Sequence, residues 1–172
     1  MKWIGCMMII AATSLGGIKL ESSTKERIWI LQDLSKMLLY LSGEIRYLKT
    51  PIINAMENIA GRMENRMIRE FLIGTKEELE SYTGEEARVI WNRNIDRAFL
   101  KTSLRKEDIE ELKKFCGSVG YLDINLQLEN IDCYSRMLQE KTEGLMKESR
   151  EKCKIYRTLG VLSGIFVVII ML

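Results

Sequence analysis

The sequence predicts an all-α fold: a cytoplasmic bundle of about six helices between N- and C-terminal transmembrane helices that continue into long helices of the bundle. Three observations predict it. The 172 residues include one Pro and 12 Gly, amid many Leu, Ile, Met, Glu, Lys and Arg, a mixture that favours helix over sheet. Apolar residues recur at steps of three and four, and no stretch alternates as a half-buried strand does. Charge falls in three blocks: of 26 Lys and Arg and 24 Asp and Glu, only Lys2 lies in residues 1–18 and none in 158–172. A mean hydropathy near zero hides this layout. The length suits one domain. The expected division is a transmembrane helix over 1–19, the bundle over 20–156 and a second transmembrane helix over 157–172.

The first apolar segment, Trp3 to Ile18, reads WIGCMMIIAATSLGGI. As a helix it covers roughly 24 Å, just short of the usual span. Lys2 and Lys19 bracket it and can snorkel to the headgroups. The second, Thr158 to Leu172, reads TLGVLSGIFVVIIML and follows Tyr156 and Arg157, a pair suited to a membrane interface. Competing readings are a cleaved signal peptide at the start and a buried core helix at the end. The second is disfavoured because the segment is apolar on every side. Lys19, Lys25 and Arg27 follow the first segment, and Lys147, Arg150, Lys152, Lys154 and Arg157 precede the second. The positive-inside rule therefore puts the middle in the cytoplasm, with both chain ends across the membrane. Ala12 and Gly16, and Gly160 and Gly164, lie four apart, a spacing that lets helices approach closely in lipid.

Past Lys19 the seam runs Leu31, Leu34, Leu38, Leu41, Ile45 and Leu48, so one helix is expected from the membrane to about Lys49. Thr50-Pro51 ends it and starts a second, with Thr50 as cap and Pro51 at the first helical position. That helix sets Ile52, Ala55, Met56 and Ile59 inward and ends near Gly61. A third covers about Glu64 to Leu79 with Met67, Ile68, Phe71, Leu72 and Leu79 inward. Thr83-Gly84-Glu85-Glu86 reads as a capping box opening a fourth helix, which holds Ala87, Ile90, Trp91, Ile95, Ala98 and Phe99. A fifth starts near Ser103 and carries Ile109, Leu112, Phe115 and Val119. Asp123 caps a sixth with the seam Ile124, Leu128, Ile131, Leu138 and Leu145, interrupted by Ser135, Thr142 and Ser149. Nothing stops it before the second apolar segment; Gly144 is its one weak point.

No residue set supports catalysis, a metal or a cofactor. There is no His, which removes the commonest general base and metal ligand. Cys6, Cys116, Cys133 and Cys153 are too far apart for a CxxC site and read as reduced thiols. Glu77-Glu78, Glu85-Glu86 and Glu110-Glu111 are helix neighbours pointing about 100° apart, which makes solvated faces rather than shared-proton dyads. Gly74-Thr75-Lys76 lacks the spacing of a phosphate loop. Trp91 reads as core, and Trp3 and Trp29 as interface residues. A net charge of +2 argues against nucleic acid as a partner, and no small-molecule substrate is expected. Uncharged spans argue against a transporter. The basic cluster before the second span, interleaved with Glu148 and Glu151, draws anionic lipid only modestly.

The string GEIRYLKTPIINA, Gly43 to Ala55, resembles a hallmark of the stage III sporulation protein AB family of endospore-forming bacteria. That pattern, acidic-Ile-x-Tyr-x-x-Thr-Pro, is matched by Glu44, Ile45, Tyr47, Thr50 and Pro51. Trp91 matches a tryptophan of the family. Leu104 to Gln127 is similar to a further stretch, matched by Glu107, Asp108, Leu112, Phe115, Gly117, Gly120, Asp123 and Gln127; Val119 departs mildly from the usual Leu. The apolar end fits in length and position. The resemblance implies a helical domain similar to the cytoplasmic domain of type II secretion and type IV pilus platform proteins. It implies a non-enzymatic scaffold in the mother-cell membrane facing the forespore, touching a cytoplasmic secretion-type ATPase (stage III sporulation protein AA) and other membrane subunits of the complex. The expected partner-binding turns are Glu44, Tyr47, Thr50 and Pro51, and Gly117, Gly120, Asp123 and Gln127. The alternative is a doubly anchored membrane coiled coil with a signalling or adaptor role unrelated to sporulation.

Overall fold

The computed structural model describes residues 2–81, 84–118 and 123–171, with side chains described between 22 and 152. Six α-helices and one π-helical turn follow in order: α1 (Lys2–Gly43), the π turn (Glu44–Leu48), α2 (Ile52–Arg62), α3 (Arg66–Glu80), α4 (Ala87–Phe99), α5 (Lys106–Ser118) and α6 (Ile124–Met171). There is no strand among the described residues. The all-α bundle and its two long helices stand as the periodicity predicts. Between residues 22 and 152, where side chains are described, no helix is long and apolar enough to cross a membrane. The expected spans, with Ala12, Gly16, Gly160 and Gly164, lie outside the residues whose side chains are described.

Helices α1 and α6 run antiparallel in register. Gln32 Nε2 lies 3.9 Å from Met146 Sδ, and Arg46 Nη2 lies 3.3 Å from Asp132 Oδ2. Fourteen residues forward on α1 thus match fourteen back on α6. Between these helices the chain folds up and down. Asn58 and Arg62 of α2 return along α1 to Glu44. Lys76 of α3 meets Glu57 of α2, Arg93 of α4 meets Glu78 of α3, and Lys113 of α5 meets Asp96 of α4. The bundle therefore has a base, where α1 enters and α6 leaves, and a tip, where the π turn, the start of α2, the end of α5 and the start of α6 gather.

One core serves all six helices. Leu31, Leu34, Leu38, Leu41 and Ile45 of α1 are buried with Ile59, Ile68, Phe71, Ile95, Leu112, Ile131 and Leu138. Each such side chain contributes about 1.5–3 kcal/mol over leaving it in water. Phe71 is its centre, with the rings of Trp91 and Phe99 at 5.8 and 5.6 Å. Trp91 is core, as its neighbours imply.

The helix boundaries correct several expectations. Leu48 continues the seam by count but is 61% exposed, because the wider π turn shifts every later side chain off the stripe. Thr50 does not cap α2; Pro51 holds that position without a side-chain bond, and Thr50 Oγ1 donates to Glu44 Oε2 at 3.1 Å. Asn65 is the cap of α3, accepting from the Met67 amide at 3.0 Å. A capping box needs its acid three residues into the helix, whereas Glu86 stands at the cap of α4 and makes no side-chain capping bond, lying 3.5 Å from Arg88 instead; Thr83 lies outside the described residues. Helix α5 starts at Lys106 rather than Ser103. Asp123 caps α6, accepting from the Asn125 amide at 3.2 Å. Ile124 is exposed despite its place on the seam, because it lies beyond the last residue of α1 that α6 can pack against.

Candidate functional site

The tip is built around one buried carboxylate. Glu44 is 1% exposed, and three groups face it. Thr50 Oγ1 and Asn58 Nδ2 donate to its Oε2 at 3.1 and 3.0 Å. Arg62 Nη2 lies 3.3 Å from its Oε1, close enough to pair charges but not aligned for a hydrogen bond. The Glu44 carbonyl also receives the amides of Lys49 and Thr50. Lys49 closes the turn at φ 50°, ψ 32°, a left-handed conformation that costs a non-Gly residue about 1–2 kcal/mol. A residue held there needs surroundings that over-determine it, and the Glu44 bonds supply them.

Glu44 is therefore not presented to a partner. It is a positioning residue, and what it positions is Tyr47, which is 80% exposed, and the neighbouring Leu48. Pro51 is exposed and Thr50 is turned inward. The sequence motif joins residues of opposite roles: Glu44, Ile45 and Thr50 face in, and Tyr47 and Pro51 face out.

The second expected turn lies at the same end. Ser118 Oγ accepts from Asn130 Nδ2 at 2.6 Å, two residues before the Asp132 that meets Arg46. Gly117 is half-buried where a Cβ would stand 3.3 Å from Arg88 Cγ of α4, so the glycine admits that side chain. Asp123 is exposed and Gln127 half-buried; Gly120 and Val119 lie outside the described residues. Ile124 and Leu126, each 52% exposed, add apolar surface at this end. The fold thus brings both turns to one end. They present Tyr47, Leu48, Ile124 and Leu126, with Arg46, Lys49 and Asp123 around them.

At the base stands a second charged cluster, centred on Asp108, a residue of the second family-like stretch that nothing in the sequence tied to Arg27 or Lys141. Arg27 of α1 clasps Asp108 of α5 through two bonds, Nε to Oδ2 at 2.7 Å and Nη2 to Oδ1 at 2.9 Å. Lys141 of α6 reaches Asp108 Oδ1 at 3.1 Å and also pairs with Glu111. Asp108 Oδ2 takes the Arg105 amide at 2.9 Å as well, the return half of a capping box. Burial alone would raise the Asp108 carboxyl, but Arg27, the Arg105 amide and Lys141 together hold it below the usual carboxylate range. Asp108 stands third in α5, where an acid completes such a cap; that position and its place in the family-like stretch are the signals the sequence carries.

Elsewhere the ionisable groups are absorbed by structure. Gly74-Thr75-Lys76 lies within α3, where Thr75 Oγ1 donates to the Phe71 carbonyl and Lys76 pairs with Glu57. Glu78 and Glu85 share Arg93, and Glu110 meets Lys113. Cys116 is buried and burial pushes its thiol up, away from the thiolate form. Beside it Tyr134 stacks on Phe115 at 4.7 Å, its hydroxyl raised by burial too. No group of three His, Cys, Asp or Glu among the described residues is placed to hold a metal ion. An apolar gap of about 20 Å³ beside Trp91 and Phe115 has room for one water at most.

The family match and the curated relative cover essentially the whole chain, and the solved structure most of it. Residues 2–172 match the model of the stage III sporulation protein AB family. The chain is 23% identical over 172 residues to stage III sporulation protein AB of Bacillus subtilis (strain 168), across 100% of this chain and 99% of that protein. It is similar in fold to a solved structure of stage III sporulation protein AB, with a TM-score of 0.64 at 22% identity over 73% of this chain and 97% of that one. The chain belongs to the stage III sporulation protein AB family, and its role is related to sporulation.

Proposed function

We propose that this protein is a non-enzymatic membrane platform of the sporulation complex, anchored by both apolar ends in the mother-cell membrane facing the forespore. Its bundle hangs in the cytoplasm and docks a secretion-type ATPase at the tip, beside other membrane subunits of the complex. The observation that carries this reading is the Glu44 corner. A buried carboxylate with three partners holds a strained turn whose visible product is an exposed Tyr and an exposed Leu. Buried aromatic anchors contribute most to binding at protein interfaces, and a rigid scaffold presenting them loses little entropy on docking.

The antiparallel register supports the membrane half of the reading. Continued residue for residue past Gln32 and Met146, it would lead both apolar segments out at the base, away from the tip. A coiled-coil dimer finds no support. The α1 seam that would form it is already buried against α2 to α6 of the same chain.

The test is binding of a purified stage III sporulation protein AA ATPase to the full chain in lipid nanodiscs. Tyr47→Ala with Leu48→Ser is expected to weaken binding at least about tenfold, a loss of roughly 1.4 kcal/mol. Trp29→Ala, exposed on α1 far from the tip, is expected to leave it unchanged. Absence of binding, or equal binding by both variants, refutes the docking assignment.

A further inference from the structure

The connection between α4 and α5, residues 100–105, lies at the base rather than the tip. Ser103 Oγ donates to Glu26 of α1, and Arg27, next along, clasps Asp108 at the start of α5. Glu26 is seven residues past Lys19, about 10 Å along the helix. The connection is ordered by its own bonds: Thr102 Oγ1 donates to the Phe99 carbonyl at 2.7 Å and accepts from the Leu104 amide at 3.3 Å.

Its composition is lopsided. In a chain with nearly equal acids and bases, residues 100–106 carry Lys101, Arg105 and Lys106 and no acid. All three are exposed, and Leu100 beside them is 62% exposed. Of the acids nearby, Asp108 is held by Arg27 and Lys141 and Glu148 of α6 pairs with Lys152 at 2.6 Å, while Glu26 takes the Ser103 hydroxyl and keeps its charge. Lys152, and then Arg105 and Arg27, hold the Glu148 carboxyl low, which places Arg105 within electrostatic reach of α6. Lys147 and Arg150 of α6 are exposed as well. Over residues 100–107 the three bases face one acid, Glu107.

We propose that the α4–α5 connection is a third contact with the bilayer, its Lys101, Arg105 and Lys106 lying against anionic lipid headgroups. This inference rests on the reading that the apolar ends span the membrane. The distance supports an electrostatic contact, not insertion. About 10 Å from the end of the apolar run is the depth of the headgroup region plus the reach of a long basic side chain, and close to one Debye length. Basic residues so placed are attracted to an anionic surface. The contact would steady the bundle against tilting about its two anchors, as a third foot does.

The test is hydrogen exchange of the full chain in nanodiscs of phosphatidylcholine alone and of phosphatidylcholine mixed with phosphatidylglycerol. Amides of residues 100–106 are expected to exchange at least about threefold more slowly in the anionic discs, an effect that high salt removes. Amides of residues 44–51 at the tip are expected to exchange alike in both. The triple variant Lys101→Gln, Arg105→Gln, Lys106→Gln changes only exposed side chains and is expected to lose the difference. Equal exchange in the two lipids, or a difference that the triple variant keeps, overturns the inference while leaving the anchors intact. A chain that does not enter the discs at all overturns the membrane reading and this inference with it.

Discussion

Replacing Asp108 by Asn removes one charge from the base clasp and almost no volume. The Arg27 guanidinium, 9% exposed beside a carboxylate that is 1% exposed, then keeps its charge without the carboxylate that clasps it. Removing one partner of a buried ion pair costs about 3–5 kcal/mol, because the other is left desolvated. Two features put this case at the lower end. The Asn oxygen can still accept the Arg105 amide, and Lys141 retains Glu111. A loss of about 3 kcal/mol is expected, a large part of a domain's total stability.

Urea unfolding of the full chain in nanodiscs, followed by far-UV circular dichroism, reads the loss directly. Guanidinium is avoided because its salt screens the interaction. With a slope of about 2 kcal/mol per molar urea, the midpoint falls by about 1.5 M. Adding Arg27→Met to Asp108→Asn removes both charges and is expected to recover part of the loss, since an apolar replacement of a buried pair is often nearly neutral. The pH dependence follows in sign. The folded Asp108 carboxyl titrates below the usual range, so its contribution is present above the unfolded carboxylate pKa of about 3.9 and disappears as pH falls through the lower folded value. The wild type and the Asn variant are therefore expected to converge in acid. A loss no larger than that of Arg66→Ala, which breaks only an exposed surface pair with Glu70, refutes the reasoning, as does a double variant no better than the single one.

Three further outcomes follow from the packing. Phe71→Ala empties the centre of the core and is expected to cost about 3–5 kcal/mol in the same urea assay. In the native chain Cys133 reacts quickly with maleimide and Cys116 only upon unfolding, because Cys133 is exposed and Cys116 is buried with its thiol pushed up; mass spectrometry of tryptic peptides checks the order. Glu44→Gln and Asp108→Asn act at clasps about 26 Å apart along α1, so their losses are expected to add to within about 0.5 kcal/mol.

The sequence shows the helices plainly and the polar interior hardly at all. Period and breakers are local properties, so α2 to α5 could be placed within a few residues and Leu31 to Ile45 assigned to the core. Leu48 fails because one π turn, set by groups as distant as Arg62, changes the period that the assignment assumes. Glu44 was singled out for a partner because a motif residue in a turn reads as presented. Its inward direction depends on Asn58 and Arg62, ten and more residues away, which no local rule connects to it. Arg27 and Asp108 are 81 residues apart; either alone reads as a solvated charge. That the two turns singled out in the sequence meet at one end follows from the antiparallel register of α1 and α6, which is a property of the whole chain.

These two buried carboxylates bear on what the bundle does. The α1 seam is Leu-rich and repeats nearly every turn, so apolar packing alone would tolerate a slip of one turn, about 5.4 Å, with modest loss. The clasps do not tolerate it. Such a slip carries Arg27 away from Asp108 at the base and, at the tip, carries Glu44 away from Asn58 and Arg62. Each separation strands a buried charge, at about 3 kcal/mol or more apiece. Helix α1 is thereby pinned near both ends, to α5 at the base and to α2 at the tip. A force applied at Tyr47 is carried along α1 by a helix that cannot slide against its neighbours, so it reaches the base as movement of the whole bundle rather than as a local shift. That stiffness is what the proposed platform role requires.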